Sequence, residues 1–204
     1  MSEVNMWEIE QGYYDRGIRL FCGVDEAGRG PLAGPVCAAA VILPANVEIP
    51  GLNDSKKLSD KRRRELFPVI KEKAIAYAIA FADHNEIDEI NILQATYLAM
   101  ERAINQLPVK PEAALIDGNR AKDFGIPVET VVHGDSRSAS IAAASILAKV
   151  TRDDHMLLMA EEYPGYSFEI HKGYGTKAHY EALEKLGACP IHRISFLKKF
   201  YGEK

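Results

Sequence analysis

The pair Asp25-Glu26 is the feature of this sequence best suited to catalysis. The two carboxylates follow an apolar stretch, residues 18–24, that predicts a strand, and the turn Gly28-Arg29-Gly30 comes soon after them. Neighbouring side chains on a strand point to opposite faces, so the two acids cannot both be core residues. Either one acid faces solvent, or the strand ends there and both reach a common charge. The glycines favour the second arrangement, because they let the backbone approach a ligand and bind an anion through its N–H groups.

Metal-assisted phosphate chemistry uses such an acidic pair beside an anion-binding turn. A polar hairpin turn would have the same short motif, so the rest of the chain has to decide between the two. Two more acids follow short apolar segments: Asp117 comes after residues 113–116, and Asp135 comes after residues 128–133. Functional sites assemble at strand ends in open α/β sheets. Three such ends that converge would hold a divalent metal ion.

The elements that must position these acids are predicted from hydropathy and capping patterns. Further strands are predicted over 34–43, which reads as fully buried, and over 74–82. Helices are predicted over 59–74, 85–107, 138–163 and 176–187. Pro68 is expected to kink or divide the first of these, and Asn85 to cap the second. The small residues in the first half of 138–163 are expected to let that helix press close to the sheet.

The composition is that of a soluble globular protein of one domain, with 204 residues, 47% of them hydrophobic and 26% charged. The longest apolar run, 36–44, is too short to cross a bilayer, so no membrane association is expected. The first ten residues contain acids rather than a basic region and an apolar block, which predicts no signal peptide. The odd set Cys22, Cys37 and Cys189 predicts buried thiols in a reducing compartment, hence a cytoplasmic protein.

The charge is unevenly distributed along the chain. The net charge of −4 argues against a protein that simply coats nucleic acid, but residues 167–204 carry a net +3 and the remainder −7. This pattern suits an enzyme that holds metal with its acids and grips phosphate elsewhere, although ordinary surface variation would also produce it. The cations expected to supply the grip are Lys172, Lys177, Arg193, Lys198 and Lys199. The basic run 61–64 is interpreted as a solvated helix face.

Six blocks of this sequence resemble the bacterial ribonuclease HII family, in the family's order, from residue 23 to about residue 196. They are Val24-Asp25-Glu26-Ala27-Gly28-Arg29-Gly30-Pro31, Asn53-Asp54-Ser55-Lys56-Lys57-Leu58, Leu115-Ile116-Asp117-Gly118, Gly134-Asp135-Ser136, Ala142-Ala143-Ala144-Ser145-Ile146-Leu147-Ala148-Lys149 and His171-Lys172-Gly173-Tyr174.

The resemblance implies an α/β, ribonuclease-H-like fold, a mixed central sheet flanked by helices, with a C-terminal helical extension. Residues 1–166 would form the catalytic domain, and residues 167–204 would form a basic extension packed on it. The implied activity is metal-dependent endonucleolytic cleavage of the RNA strand of RNA–DNA hybrids and of single ribonucleotides in duplex DNA, on their 5′ side. The products would carry 3′-hydroxyl and 5′-phosphate ends.

The resemblance also implies roles for single residues. Asp25, Glu26, Asp117 and Asp135 would hold two Mg²⁺ or Mn²⁺ ions, with the choice between the metals left open. Gly28, Arg29 and Gly30 would read the ribose, and Tyr174 would pack against the neighbouring deoxyribose. The lysines expected to contact phosphate are Lys56, Lys57 and Lys172. His133 and His171 are interpreted as structural or phosphate-contacting residues rather than metal ligands.

Two other classes of function stay open. Another two-metal nuclease or a strand-transfer enzyme would use the same acids, and a non-catalytic RNA–DNA hybrid binding module would keep the basic and aromatic residues. The basic tail after residue 196 hints at docking on a replication clamp. A monomer is expected.

Overall fold

A five-stranded mixed sheet forms the centre of the computed structural model, which describes residues 5–202. The strands are β1 Phe21–Ala27, β2 Val36–Ile42, β3 Ala76–Ala82, β4 Ala113–Asp117 and β5 Val128–Val131. Their order across the sheet is β3-β2-β1-β4-β5. Strand β2 is antiparallel to β1 and β3, whereas β4 is parallel to β1 and β5. The predicted mixed sheet is thereby confirmed. Residues 1–4 of the predicted segment 1–166, and residues 203–204 of the predicted segment 167–204, lie outside the described part.

Helices cover both faces of this sheet. They are α1 Glu8–Asp15, α2 Asp60–Lys73, α3 His84–Asn105, α4 Ala139–Glu162, α5 Phe168–His171, α6 Lys177–Leu186 and α7 Ile194–Leu197. Helix α3 packs on the face that carries Cys22 and Val24, and helices α2 and α4 pack on the opposite face. Across residues 5–202, none of the helices combines the length and apolar character needed to traverse a bilayer.

Three predicted helix starts are confirmed by their capping hydrogen bonds. The side chains of Ser59, Ser138 and Thr176 each accept a hydrogen bond from a backbone N–H three residues on. Pro68 was expected to kink or divide helix α2, but the helix continues through it without a division. Because Pro68 lies on the exposed side, the carbonyl that loses its partner there can be solvated.

Helix α3 differs from its prediction at two points. Its N-cap is Asp83 rather than Asn85, and Asp83 forms a reciprocal capping box with Glu86. The helix is interrupted at Asn91, which has a left-handed φ of 67°. The Asn91 side chain accepts from the N–H groups of Leu93 and Gln94 and so caps the second half.

The sequence suggested that strand β1 ends at Asp25 and Glu26. The strand instead continues through both acids to Ala27. Antiparallel pairing with β2 extends to Glu26↔Ala38 and Ala27↔Cys37, and this pairing keeps the chain extended. Strand β5 ends earlier than predicted, at Val131, because the chain turns at His133, whose φ is 56°. Helix α1 was not predicted.

Helix α4 lies unusually close to β1. A Cβ atom at Gly23 would lie 2.2 Å from the carbonyl carbon of Ser140, so only glycine fits at this position. The small residues of α4 therefore do allow a close approach to the sheet, as expected. Residues 167–202 pack through a separate apolar cluster that includes Leu32, Met156 and Phe168.

The three cysteines are free thiols. Cys22 and Cys37 are fully buried on β1 and β2, as predicted, and Cys189 is half-buried.

Candidate active site

Three carboxylates converge at the edge of the sheet where the parallel strands end. One oxygen each from Asp25, Asp117 and Asp135 lies within 4.8 Å of the others, and we call these three residues the acidic cluster. The parallel register pairs Val24 with Ile116, which makes Asp25 and Asp117 neighbours on β1 and β4. Asp135 comes from a 3-10 turn, Gly134–Ser136, that follows β5.

The turn that carries Asp135 is fastened to Asp117. The carboxylate Oδ1 of Asp117 accepts hydrogen bonds from the backbone N–H groups of Gly134 at 2.7 Å and of Asp135 at 3.4 Å. A Cβ atom at position 134 would lie 3.2 Å from that oxygen and 2.6 Å from Cδ1 of Ile141. The glycine therefore permits the close approach that brings two acids together.

Glu26 lies apart from the acidic cluster, on the α3 side of the sheet, because β1 continues through both acids and alternates its side chains. Its carboxylate is 3.4 Å from Nη1 of Arg29. Together with Asp117, Leu93 and Tyr97 it lines a cavity of about 290 Å³. Asp117 is thus shared between the cavity and the acidic cluster.

Burial and mutual repulsion perturb these acids. Burial, followed by the charges of Glu26 and Asp117, raises the pKa of Asp25 well above its usual range. Burial also raises the pKa of Glu26, which Arg29 opposes, and that of Asp135, to which the charge of Asp117 adds. Such a group of acids is stabilised by a cation.

The donor set fits a hard divalent ion. Carboxylate oxygens are the ligands that Mg²⁺ and Mn²⁺ prefer, and the three oxygens of the cluster lie close enough to share one site. Asp54 is a further buried acid whose charge raises the pKa of Asp135. Sequence reasoning missed Asp54 as a site residue, although it belongs to the family-like block 53–58.

The predicted phosphate-binding lysines fall in two places. Nζ of Lys56 is 3.3 Å from Asp135, and Nζ of Lys57 is 3.9 Å from Asp54, with both lysine side chains exposed. Lys172 lies instead in the loop before Tyr174, and its ammonium group binds the carbonyl of Glu169. The structure therefore brings Lys56 and Lys57, but not Lys172, to the acids.

The turn Gly28-Arg29-Gly30, hereafter the Gly-Arg-Gly turn, adjoins Tyr174. A Cβ atom at Gly30 would lie 3.7 Å from the Tyr174 ring, which is an ordinary contact, and Tyr174 is 41% exposed. Gly28 is required for an internal reason: its φ is +96°, and a Cβ atom there would lie 1.9 Å from Nε of Arg152. The two glycines thus differ in what they permit.

The structure also shows the environments of His133, His171 and Arg193, to which roles were assigned from the sequence. His171 is structural, since its Nε2 lies 2.8 Å from the Tyr166 carbonyl and its Nδ1 accepts from the N–H of Gly173. His133 is exposed. The expectation that Arg193 grips phosphate is wrong, because its side chain is fully buried and binds backbone carbonyls. The pattern of basic residues carried no signal that distinguishes a buried arginine from an exposed one.

A mixed sheet with carboxylates gathered at the ends of its parallel strands places this protein among nucleases of the ribonuclease H fold. The family model for ribonuclease HII matches residues 22–199. Ribonuclease HII of Endomicrobium trichonymphae is 58% identical over 194 residues, which cover 94% of this chain and 92% of that relative. The chain belongs to the ribonuclease HII family and is a ribonuclease H enzyme.

Solved structures agree with this assignment. Ribonuclease H2 of Pyrococcus horikoshii has a TM-score of 0.72 and 26% sequence identity, covering 90% of this chain and 99% of that one. The ribonuclease HII of Archaeoglobus fulgidus, solved as a complex with PCNA, has a TM-score of 0.73 and 25% identity, covering 87% and 93%.

Proposed function

We propose that this protein is a divalent-metal-dependent endonuclease that cleaves the RNA strand of RNA–DNA hybrids and cuts on the 5′ side of single ribonucleotides in duplex DNA. The observation that carries the proposal is the cavity that Asp117 of the acidic cluster lines together with Glu26 and Arg29, beside which a Cβ atom at Gly30 would lie 3.7 Å from the Tyr174 ring. Chemistry and ribose recognition would then share one surface.

Asp25, Asp117 and Asp135 would hold the metal ions, with Glu26 adding a carboxylate from the α3 side. Two Mg²⁺ or Mn²⁺ ions, when bound, supply an acidified water and stabilise the leaving oxygen. Lys56, beside Asp135, lies where its ammonium group would contact a phosphate of the substrate, with Lys57 next to it. Attack of water on phosphorus with departure of the 3′-oxygen leaves a 3′-hydroxyl and a 5′-phosphate.

Ribose recognition requires a rigid partner for the 2′-hydroxyl, which both donates and accepts hydrogen bonds. Backbone groups of the Gly-Arg-Gly turn meet this need, because Gly30 is exposed and leaves room for a sugar. Tyr174 would lie flat on the next sugar, where a 2′-hydroxyl would clash. This pair would select a ribonucleotide followed by a deoxyribonucleotide, and Lys172 would contact a phosphate nearby.

The test is cleavage of an end-labelled DNA duplex that contains one ribonucleotide, with Mg²⁺, with Mn²⁺ and with a chelator, beside a plain DNA duplex. We expect one cut, 5′ of the ribonucleotide, only with metal. Cutting or joining of plain DNA would point to another two-metal enzyme. Binding without cleavage when metal is supplied would point to a hybrid-binding module.

For partners, we propose that the exposed tail residues Lys198, Lys199 and Tyr201 dock on a replication clamp. The support is the complex of the Archaeoglobus fulgidus relative with PCNA. Co-elution of the chain with its own clamp, and its loss in Tyr201→Ala, tests this. Light scattering of the chain alone tests the expected monomer.

A further inference from the structure

Two guanidinium groups are buried beneath the Gly-Arg-Gly turn. Arg152 of α4 is 1% exposed, and Arg193, which precedes α7, is 0% exposed. Burying a charged group is costly unless its donors are used. Burial lowers the pKa of both arginines, that of Arg193 to about 9, and the charge of Arg152 adds to the effect on Arg193.

Arg193 holds the turn from below through three nitrogens. Its Nη2 donates to the carbonyl of Gly28 at 2.6 Å, its Nη1 to that of Arg29 at 2.9 Å, and its Nε to that of Gly34 at 2.9 Å. A planar fork with fixed donor directions matches this set of acceptors, whereas the single ammonium group of lysine does not.

Arg152 joins the same segment to the loop that carries Tyr174. It donates to the carbonyls of Ala33 at 3.2 Å and Pro35 at 3.0 Å, and its Nη1 donates to that of Lys172 at 3.0 Å. Its guanidinium carbon also lies 5.8 Å from the centroid of the Tyr174 ring. Arg152 therefore contacts both halves of the proposed recognition surface.

The position of Arg193 is set in turn by Asp88 of α3. The Asp88 carboxylate accepts from the N–H groups of Ile194 at 2.8 Å and Ser195 at 3.0 Å, at the start of α7. Residues 167–202 are thus tied to the sheet domain directly behind the turn.

The hydrogen bonds of the two guanidinium groups go to backbone carbonyls of the Gly-Arg-Gly turn, of the segment after it and of the loop before Tyr174. Apolar residues would fill a purely structural core at lower cost than two like charges. The two guanidinium groups, unlike apolar side chains, fix the distance between the Gly-Arg-Gly turn and the loop before Tyr174.

We propose that Arg152 and Arg193 are positioning residues that set the spacing between the Gly-Arg-Gly turn and Tyr174, and thereby the preference for a single ribonucleotide over an RNA tract. The inference rests on the proposed function and deepens it. In this arrangement residues 167–202 hold the Gly-Arg-Gly turn in position for substrate recognition, in addition to any contact that they make with phosphate.

The test compares kcat/KM of wild type and Arg193→Lys on two duplexes, one with a lone ribonucleotide and one with an all-RNA strand. A misplacement of ~1 Å costs on the order of 10²-fold in rate, so we expect the ratio of the two activities to fall by at least about tenfold, with the RNA tract largely spared. If Arg193→Lys fails to fold, Asp88→Ala is the variant to measure, because it keeps both arginines. It should also lower the ratio of the two activities.

Arg102→Lys is the control away from the turn, because Arg102 donates to the backbone carbonyl of Phe81 and also pairs with the carboxylate of Glu86. It should lower the melting temperature and leave the substrate ratio unchanged. Adding millimolar guanidinium chloride to Arg193→Ala should restore the ratio, whereas sodium chloride should not.

Equal losses on both duplexes in Arg193→Lys, or an unchanged ratio in a folded Asp88→Ala, would overturn the inference. A wild-type protein that leaves the lone-ribonucleotide duplex uncut would instead overturn the proposed function, so the two failures are distinguishable.

Discussion

Asp117 belongs both to the acidic cluster and to the cavity that Glu26 lines. It also receives the N–H groups of the turn that carries Asp135. In the proposed function the Asp117 charge would hold metal, whereas its Oδ1 atom accepts the hydrogen bonds that fasten the turn. A substitution that removes the charge and keeps that oxygen separates the two.

We expect Asp117→Asn to fold and to lose cleavage by at least about 10²-fold, since loss of supporting partners of metal ligands alone costs about ten- to a hundredfold. Because one of several mutually repelling charges is removed, the melting temperature without metal should hold or rise. Kinetics at saturating Mg²⁺ and thermal melts measure both. The exposed Asp15→Asn serves as control, and near-wild-type turnover of Asp117→Asn would contradict the assignment.

The two glycines of the turn make a second residue-scale prediction. Gly30→Ala meets only an ordinary contact with Tyr174, so its stability should stay within about 0.5 kcal/mol of wild type, as for other surface changes. Cleavage at a lone ribonucleotide should fall at least about tenfold, because a methyl group would occupy the space where we propose that the sugar binds. Gly28→Ala should be destabilised instead, since Arg152 occupies the position of its Cβ. Denaturation curves and cleavage assays of both variants test the contrast.

At the scale of elements, helix α1 secures the start of α4. Glu10 is 0% exposed and accepts hydrogen bonds from Ser138 Oγ at 2.6 Å, Ser140 Oγ at 2.9 Å and the N–H of Ser140 at 3.1 Å. These hydrogen bonds favour the carboxylate form of Glu10 at the helix N-terminus, but burial opposes them and has the larger effect. Ser138 follows closely after Asp135 in the chain, so α1 helps to hold the turn that carries this acid.

Glu10 should make stability depend on pH. Burial raises its pKa above 4.5, with the serine hydrogen bonds opposing, so the ionised form is disfavoured in the folded state. Its contribution is present below pH 4.5 and is lost as the pH rises through the folded-state pKa. The free energy of unfolding of wild type relative to Glu10→Gln should therefore fall as the pH rises from 4.5 towards neutrality, measured by urea denaturation. Parallel pH profiles would argue against a raised pKa.

At the scale of the whole molecule, charge is divided between an acidic body and a basic C-terminal segment. The interior position of Arg193 removes one cation from the surface that was expected to grip phosphate. Lys198 and Lys199 remain exposed at the end of the described chain. Both lysines are therefore available for an interaction that depends on salt.

We expect replacement of Lys198 and Lys199 with Ala to reduce the dependence of log Kd on log salt by up to about 0.9 for each phosphate that these lysines neutralise in wild type. The position of cleavage should not change, because the proposed recognition surface is untouched. Binding titrations of a ribonucleotide-containing duplex over a salt series give the slope. Lys110→Ala, also exposed, controls for removal of a distant charge. An unchanged slope in the double variant would show that the tail does not bind the duplex.

Local patterns determined much of this protein from the sequence alone. Strand β2, the N-caps at Ser59 and Thr176, the helix start at Ser138 and the placement of acids at or near strand ends could be predicted, because they depend on residues close in the chain. Helix α1 escaped prediction, as did the break at Asn91.

Only the tertiary structure decided which residues meet. Pairing with β2 carries β1 past Asp25, and this places the Glu26 side chain on the face opposite that of Asp25. Arg152 and Arg193 look like other basic residues in the sequence, and their burial depends on carbonyls from a segment far earlier in the chain, at Pro35 and Gly34. Interactions at such separation are set by the packing of the whole chain, because no local pattern encodes the partner that a side chain will find.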